Sequence, residues 1–333
     1  MIFGFGRTNI TTMFSLPNVP KSSELTDLAF RKGRMAASSI KSGHKPKSKE
    51  ARERIAEEER IRVISKVVCS TLEKITKNFP RYELMPKFYQ KLLDIKIDRN
   101  RYKKSLGALK WCAGNVRDLG NEKASEIRRT RNMNAGKAFM GRVSSILRQV
   151  EGDLENLRIM KGIIENFPIF GDMPTLVVAG YANVGKSTFM KTLTGSKVKV
   201  ANYPFTTQDI MIGHKMLKYT KYQIIDSPGL LDRPLEKRNK VELQAILALE
   251  ELAGKVLFIF DPTQEIEPQI SLYNEIKKML RAEIFFVINK KDIAEKDKLA
   301  EIMEKLKAPD IMEISANSGD DCEKVFVKIF GLK

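Results

Sequence analysis

The most specific chemical signal in the sequence is an octapeptide in its second half. Residues 180–187 read Gly-Tyr-Ala-Asn-Val-Gly-Lys-Ser and match the spacing G-x-x-x-x-G-K-[ST] directly after a short apolar run. The glycines let the backbone curl so that successive N–H groups point at a phosphate. We expect Lys186 to bridge the β- and γ-phosphates and Ser187 to give its hydroxyl to Mg²⁺. Val184, Gly185 and Thr188 are expected to contact the nucleotide beside them.

Two further segments supply candidate partners for Mg²⁺ and the γ-phosphate. Asp226 begins an Asp-Ser-Pro-Gly sequence, in which its carboxylate can hold Mg²⁺ through water and the N–H of Gly229 can reach the γ-phosphate. Thr206 and Thr207 lie upstream, and we favour Thr207 as the threonine that closes onto Mg²⁺. Each segment alone is weak evidence, since loop threonines are common. Together they predict that Lys186, Thr207 and Gly229 promote phosphoryl chemistry by positioning and charge stabilisation.

The choice between ATP and GTP depends on two segments near the end of the chain. Asn289-Lys290-Lys291-Asp292 and Ser315-Ala316 each follow an apolar run. The carboxylate of Asp292 can accept both the N1–H and the 2-amino group of guanine, which adenine does not offer. We expect Lys290 to lay its stem along the base, Asn289 to tie this loop to the phosphate loop, and the N–H of Ala316 to reach guanine O6. The predicted ligands are therefore GTP and GDP, and an ATP-dependent kinase would leave Asn289 and Asp292 unexplained.

The elements that position these residues follow from the apolar pattern. Short continuous apolar runs predict buried parallel strands at residues 175–179, 222–226, 256–260, 284–288 and 311–314. Amphipathic stretches between them predict crossover helices at 235–252, 268–280, 295–306 and 321–330. An alternating stretch at 210–217 predicts an edge strand that pairs with 221–225 through a turn near Tyr219 and Thr220. The expected fold is an α/β domain with a mostly parallel, doubly wound sheet.

The first half of the chain has a helical period instead. The apolar residues Ile55, Ile61, Ile64, Val67, Val68, Leu72 and Ile75 are spaced three, four or seven apart. Further periodic stretches at 103–119 and 143–164 predict an antiparallel bundle of three or four helices that ends near Pro168. We expect domains at 1–50, a basic, extended and mobile arm; 51–166, the all-α bundle; and 167–333, the α/β domain. The first twelve residues fit no later pattern, so Met1 and Met13 are both possible starts.

Charge is distributed unevenly between the two halves. The chain carries a formal net charge of +18, and residues 1–166 contain 35 Lys and Arg against 18 Asp and Glu, while residues 167–333 contain 24 against 23. Such asymmetry predicts that the first half contacts a polyanion, most often nucleic acid, although a solubilising surface is the simpler alternative. The candidate RNA contacts are the clusters 128–131, 45–49 and Lys103-Lys104, each of which alone is more often a solvated charge cluster. Trp111 is expected in the core rather than stacked on a base.

Composition and processing signals narrow the class of protein. Hydrophobic residues make up 42% and charged residues 30% of 333 residues, which excludes collagen-like and wholly disordered chains. No run of about 20 apolar residues and no secretory signal is present, so we expect a soluble protein without membrane contact. Three scattered cysteines have no metal-ligand spacing, and neither His44 nor His214 has partners for metal or nucleophilic chemistry. A reducing cytoplasm is the expected location.

The α/β half resembles the TRAFAC class of GTPases. Ras-like members of that class place a water-orienting glutamine directly after the D-x-x-G segment, whereas this chain has Leu230, which cannot hydrogen-bond a water. In related GTPases with such a hydrophobic replacement, an asparagine at the fourth position of the phosphate loop helps to bind K⁺. That position is Asn183 here. The resemblance therefore implies slow intrinsic hydrolysis that depends on Mg²⁺ and is stimulated by K⁺.

Flanking sequence narrows the resemblance to one family. Val-Ala-Asn-Tyr-Pro-Phe-Thr-Thr at 200–207, Pro-Leu-Glu-Lys-Arg-Asn at 234–239 and Phe-Tyr-Gln-Lys-Leu-Leu at 88–93 are similar to the nucleolar GTP-binding protein (Nog) family of the Obg superfamily, in a short archaeal-type form. The resemblance implies a nucleotide-gated factor in assembly of the large ribosomal subunit, with its precursor, rRNA and ribosomal proteins as partners. Two alternatives stay open: an Obg-like regulator of translation or stress, and a constitutive rRNA-binding scaffold with incidental GTPase activity. The oligomeric state is open as well.

Overall fold

The computed structural model describes residues 14–42, 48–130, 132, 134–195, 198–202, 209–226, 231–232, 238–307 and 311–332. The chain divides into two compact units. The helical unit comprises the chain up to Leu84 together with Ile97–Glu165, and the sheet unit comprises Met85–Lys96 and Asn166–Lys333. The sequence assigns residues 85–96 to the helical bundle, whereas in the structure they group with the sheet unit.

The described part of the helical unit is built from helices alone. They are α1 (Ser22–Ser42), α2 (Lys49–Asn78), α4 (Arg99–Thr130), α5 (Asn134–Gln149) and α6 (Glu151–Glu165), with a short 3₁₀ turn at Tyr82–Leu84. All the periodic residues that the sequence singles out lie on α2, which confirms the helical prediction for this segment. Val67 is half-buried and Ile55 is exposed, whereas the other five are buried: Ile61, Ile64, Val68, Leu72 and Ile75.

The prediction of an extended arm up to residue 50 is wrong for Ser22–Ser42. This segment forms α1, and Leu25, Ala29, Gly33 and Ala37 are buried along one of its faces. A Cβ atom on Gly33 would lie 2.6 Å from the side chain of Ile64, so α1 packs directly on α2 at this point. The face was missed because alanine and glycine, spaced by four, add little to an apolar pattern.

Two expectations about the remaining helices also differ from the structure. The helix expected at 103–119 extends over Arg99–Thr130. The long helix expected to end near Pro168 is instead two helices, α5 and α6, separated by a turn at Val150 whose N–H bonds the carbonyl of Leu147 at 3.3 Å. Apolar periodicity cannot detect this break because the apolar spacing continues across it.

The sheet unit contains a seven-stranded mixed sheet. Its strands are β1 (Thr175–Ala179), β2 (Lys199–Asn202), β3 (Asp209–Leu217), β4 (Thr220–Asp226), β5 (Lys255–Phe260), β6 (Glu283–Ile288) and β7 (Met312–Glu313). The spatial order is β2-β3-β4-β1-β5-β6-β7, with β2 and β3 antiparallel to their neighbours and the others parallel. This mostly parallel, doubly wound topology confirms the predicted fold class.

The edge of the sheet differs from the prediction. The hairpin of β3 with β4 forms as expected, but β3 is not an edge strand because β2 pairs with its outer side. The four residues of β2 include Lys199 and the exposed Val200, and so short a strand has no apolar run to reveal it. Short, charged strands are typical of sheet edges, where they limit pairing with other chains.

Helices alternate with the strands of the sheet unit. They are α3 (Lys87–Lys96), α7 (Lys186–Thr194), α8 (Lys240–Leu249), α9 (Ile266–Met279), α10 (Lys296–Leu306) and α11 (Gly319–Phe330). A capping box explains why α8 begins at Lys240 rather than at 235: the Asn239 side chain accepts the N–H of Glu242 at 2.8 Å, and the Glu242 carboxylate accepts the N–H of Asn239.

Helix α3 is tied to the sheet unit by specific contacts. The phenol of Tyr89 donates to the carbonyl of Pro168 at 3.0 Å and accepts the N–H of Phe170 at 3.1 Å. Lys91 forms an ion pair with Glu251, just after α8, at 2.7 Å. Burial raises the pKa of Tyr89 to about 12, so its phenol stays protonated and keeps donating.

Candidate functional site

The predicted site residues that the structure describes meet at one edge of the sheet. The parallel strands β1, β4, β5 and β6 all end there, and each is followed by a polar segment. Gly180–Ser187 follows β1, Asp226 ends β4, and Asn289 follows β6. In open α/β sheets, ligands bind at the carboxyl ends of the parallel strands, at the point where the strand order reverses. Here that point lies at the central strand β1.

The phosphate loop has the backbone that its glycines allow. Gly180, Asn183 and Gly185 have φ angles of 142°, 62° and 101°. A Cβ atom on Gly180 would lie 2.6 Å from the carbonyl oxygen of Ile259, and one on Gly185 would meet the amide of Asn289. Only glycine therefore fits these two positions, and the loop is held against both β5 and the segment after β6.

Lys186 is buried at the start of α7 and turns back onto its own loop. Its ammonium donates to the carbonyls of Gly180 at 2.9 Å and Tyr181 at 2.7 Å. Burial lowers its pKa, against the opposing attraction of Asp226 and Asp232. The same ammonium can exchange these carbonyls for phosphate oxygens, which carry full negative charge. Val184 is buried beside it, and Thr188 is exposed in the first turn of the helix.

Ser187 and Asp226 form a pair that suits a divalent cation. The Ser187 hydroxyl donates to Oδ2 of Asp226 at 2.5 Å. The other carboxylate oxygen, Oδ1, is buried and has no hydrogen-bond partner among the described residues. Burial raises the pKa of Asp226, while Ser187 and Lys186 oppose the rise. A buried, under-satisfied carboxylate beside a hydroxyl is the oxygen donor set that Mg²⁺ takes in nucleotide sites, so these residues fit the ion.

Asn289 links the two ends of the site. Its amide nitrogen donates to the carbonyl of Val184 at 2.8 Å, and its amide oxygen accepts the N–H of Ala316 at 2.7 Å. Its own N–H bonds the carbonyl of Phe260 at 2.8 Å, and the residue is only 3% exposed. One buried side chain therefore makes the predicted tie to the phosphate loop and also holds the segment after β7. The N–H of Ala316, which the sequence assigns to guanine O6, is bonded to Asn289 in the structure.

The remaining base-recognition candidates lie around Asn289. Lys290 has a positive φ of 61° and forms an ion pair with Asp261 at 2.5 Å. Lys291 pairs with Asp321 at 2.6 Å, and the same carboxylate accepts the N–H of Ser315 at 2.9 Å. Asp292 is exposed at the rim, where its carboxylate is accessible to a base.

Sequence reasoning missed one buried carboxylate in this region. Asp261 directly follows β5 and is fully buried; its carboxylate accepts hydrogen bonds from Thr263 and Gln264, and its own N–H donates to the side chain of Gln269. Gln264 also reaches the phosphate loop, where it donates to the carbonyl of Ala182 at 3.2 Å. The available signal was the sequence Asp-Pro-Thr at the end of a buried strand, between the two strands that carry the recognised motifs.

Several predicted residues lie outside the described part of the chain. These are Thr207, Gly229, Leu230, Arg131 and residues 45–47 of the basic cluster. Asn183 is described, and its side chain is exposed at the bend of the phosphate loop.

The predicted RNA-contact residues of the helical unit are exposed on α4. Lys103 pairs with Glu83, and Arg128 lies 3.7 Å from Glu58. Lys104 and Arg129 are both exposed, and the charge of Arg129 helps to lower the pKa of Glu126. Trp111 is 49% exposed on the same helix, so the expectation that it lies in the core is wrong. Its neighbour Cys112 occupies the buried face instead.

The described residues contain neither a cluster of potential metal ligands nor a membrane-spanning helix. Within those ranges, no three His, Cys, Asp or Glu side chains are grouped so that they could hold a metal ion by themselves. Within the same ranges, no helix has the length and apolar character needed to cross a bilayer.

Comparison with known proteins gives matches over both halves of the chain. Residues 14–170 match the model of the NOG1 N-terminal helical domain, and residues 175–290 match that of a 50S ribosome-binding GTPase. An uncharacterized protein of Methanocaldococcus jannaschii is 42% identical, with 85% of this chain and 82% of the relative aligned.

Nucleolar GTP-binding protein 1 of Saccharomyces cerevisiae is 29% identical over 91% of this chain and 48% of its own length, and that of Encephalitozoon cuniculi is 32% identical over 77% and 51%. The chain thus spans about half the length of these two relatives. The crystal structure of a nucleolar GTP-binding protein 1 from Plasmodium falciparum aligns with a TM-score of 0.42 and 31% identity, over 50% of this chain and 89% of that one.

Proposed function

Because the chain belongs to the NOG1 family of GTP-binding proteins, we propose that it hydrolyses GTP to GDP and phosphate and acts as a nucleotide-gated factor in assembly of the large ribosomal subunit. The main support for guanine-nucleotide binding is that the side chain of Asn289 forms hydrogen bonds with both Val184 and Ala316 and so bridges them. This bridge holds the phosphate loop and the guanine-recognition segments in one rigid arrangement. Asp292 is then the acceptor for guanine N1–H and the 2-amino group.

Mg²⁺ has a suitable set of ligands in this proposal. Ser187 and Asp226 would hold the ion, with Thr207 as a third ligand when GTP is bound. The ion neutralises charge on the β- and γ-phosphates. Two residues of the chain bind the phosphates directly. Lys186 exchanges its hydrogen bonds with the loop carbonyls for bonds with phosphate oxygens, and the N–H of Gly229 donates to the γ-phosphate. Catalysis then depends on positioning and charge stabilisation rather than on a protein base, which gives a slow intrinsic rate.

A monovalent cation is the second ion in the proposal. Asn183 lies at the bend of the phosphate loop with its side chain exposed, so its amide oxygen is available to K⁺ beside the phosphates. We expect hydrolysis to be several times faster in K⁺ than in Na⁺ at equal ionic strength, and Asn183→Ala to remove the difference. Steady-state phosphate release in the two salts measures this. Equal rates for the unaltered protein would refute a role for K⁺.

The proposed partner is the precursor of the large subunit, through its rRNA and ribosomal proteins. The first 166 residues carry nearly all the excess positive charge, and α4 presents Lys104, Arg129 and the exposed Trp111. Lysine and arginine contact phosphates, and an exposed indole can stack on an unpaired base. The three cysteines are free and buried, which suits a reducing cytoplasm, where we place the protein.

Binding to ribosomal particles tests this proposal directly. We expect the purified protein to bind large-subunit particles in preference to small-subunit particles, more tightly with a non-hydrolysable GTP analogue than with GDP, and more weakly as salt rises. A Lys104→Glu/Arg129→Glu variant should weaken binding in both nucleotide states, whereas reversal of Lys305, an exposed cation of the sheet unit, should not. Equal binding with both nucleotides would favour the constitutive scaffold, and preference for mature over precursor subunits would favour the Obg-like regulator.

A further inference from the structure

Asp261 is an ionisable residue close to the nucleotide site for which the proposed chemistry has no role. Its side chain is completely buried, yet both carboxylate oxygens are fully engaged. Oδ1 accepts the N–H of Thr263 at 2.9 Å and its hydroxyl at 2.7 Å. Oδ2 accepts the amide of Gln264 at 2.8 Å and pairs with the ammonium of Lys290 at 2.5 Å. Four donors therefore fix this carboxylate in one orientation.

The backbone of Asp261 is fixed as well. Gln269, which is itself fully buried on α9, accepts the N–H of Asp261 and donates to its carbonyl, both at 2.8 Å. This paired contact ties Asp261, which directly follows the last residue of β5, to helix α9.

The charge on Asp261 is maintained despite burial. Burial raises the pKa of Asp261, but the hydrogen bonds from Lys290, Thr263 and Gln264 together outweigh it, so the pKa lies below its ordinary value. An ionised carboxylate inside a protein is tolerated only when it is paired and hydrogen-bonded. The ammonium of Lys290 is the full positive charge that pairs with it.

The two partners on Oδ2 belong to different parts of the site. Lys290 lies in the segment that faces the guanine base, and its positive φ is one that non-glycine residues adopt only when neighbouring contacts enforce it. Gln264 donates from the same amide nitrogen to Asp261 and to the carbonyl of Ala182 in the phosphate loop. A continuous chain of contacts runs from Lys290 through Asp261 and Gln264 to Ala182.

We propose that Asp261 is a positioning residue that holds the stem of Lys290 in place for the guanine base and, through Gln264, holds the phosphate loop beside Ala182. This inference rests on the proposed guanine-nucleotide site. It adds a second connection between base recognition and phosphate binding, parallel to the one made by Asn289. Asp261 itself touches no nucleotide, and its effect on affinity passes through Lys290 and Gln264.

A double-mutant cycle tests whether Asp261 acts through Lys290. We expect Asp261→Asn and Lys290→Ala each to weaken GDP binding by about tenfold. The double variant should bind at most about threefold more weakly than either single one, since both changes remove the ion pair and only the contact through Gln264 is additional. Calorimetric titration with GDP measures all four proteins. Multiplied effects, near a hundredfold in the double variant, would overturn the proposal, because they would show that Asp261 acts independently of Lys290.

A matched control lies on the same two strands. Lys255 and Glu283 form an exposed ion pair between β5 and β6 at the opposite end of the sheet, at 2.8 Å. Glu283→Gln breaks an ion pair between these strands without touching the site, so GDP affinity should stay unchanged. An equal loss of affinity in Asp261→Asn and Glu283→Gln would mean that Asp261 contributes only general stability to the strands.

A further variant covers the case in which Asp261→Asn does not fold. Gln264 is half-buried, and Gln264→Ala cuts the contact with Ala182 while the pair of Asp261 with Lys290 remains. We expect a loss of GDP affinity of about threefold, smaller than for Asp261→Asn because one neutral hydrogen bond is removed. Unchanged affinity would exclude the route to the phosphate loop. Absence of GDP binding in the unaltered protein would instead refute the proposed function, so the two failures are distinct.

Discussion

At the scale of single residues, the segments proposed to recognise the base combine buried, hydrogen-bonded side chains with an exposed carboxylate. Asn289 and Asp261 are buried and fully hydrogen-bonded, and Lys291 is paired with Asp321. Asp292 lies exposed beside them. A rigid surrounding with one accessible carboxylate is the arrangement in which a single residue can determine which base is accepted, because the neighbours cannot adjust to another partner.

Substitution of Asp292 tests its role in base choice. We expect Asp292→Asn to reverse the preference from guanine to xanthine nucleotides, since an amide can donate to the 2-oxo group of xanthine but cannot accept both guanine donors. Competition between GDP and xanthosine diphosphate for one labelled nucleotide measures the preference. Asp297→Asn, another exposed aspartate five residues further along, is the control. If the Asp292 variant kept its GDP preference, base recognition by Asp292 would be disproved.

The site residues that can be predicted from the sequence are those that belong to a short, continuous sequence motif. The phosphate loop, Asp226, Asn289 and the Ser315-Ala316 pair are recognisable because each motif is complete within eight residues or fewer. Asp261 could not be found in this way, since its main partner, Lys290, is 29 positions away and comes close only when β5 and β6 pair. A buried carboxylate in a network is a property of the folded sheet.

At the scale of elements, strands made of buried apolar runs can be predicted from the sequence, whereas a helix whose buried face consists of small residues cannot. Strands β1 and β5 are buried along nearly their whole length, and strands buried on both faces consist of continuous apolar residues, so both are predicted to within one residue. Helix α1 and strand β2 were not predicted. The inner face of α1 is formed largely by alanine and glycine, and β2 is a short strand at the edge, so neither carries a strong apolar signal.

The contact of α1 with α2 leads to a stability test with a built-in control. A Cβ on Gly33 would meet Ile64, whereas one on Gly107, in the middle of α4, would meet nothing within 4 Å. Both Gly→Ala changes gain about 1 kcal/mol of helix propensity. Overpacking should cost Gly33→Ala about 1–3 kcal/mol. We therefore expect Gly33→Ala to be the less stable of the two in urea unfolding. If the urea unfolding curves of the two variants had equal midpoints and slopes, the close packing of α1 on α2 would be contradicted.

At the scale of the whole molecule, charge and chemistry are divided between the two halves of the chain. The excess positive charge lies almost entirely in the first 166 residues, while the nucleotide-site candidates all lie after residue 179. A factor that must sense a nucleotide and contact a polyanion needs both properties, and here they are carried by different units of one chain.

The chain path between the units determines how the protein can be divided. Because α3 lies between two segments of the helical unit and groups with the sheet unit, the backbone passes from one unit to the other three times: after Leu84, after Lys96 and after Glu165. No single cleavage separates the units intact. A fragment that starts at residue 166 would leave Pro168, Phe170 and Glu251 without Tyr89 and Lys91. The complementary fragment would carry α3 without these sheet-unit partners of Tyr89 and Lys91. Adding a peptide of residues 85–96 would be the way to restore them to the fragment that starts at residue 166.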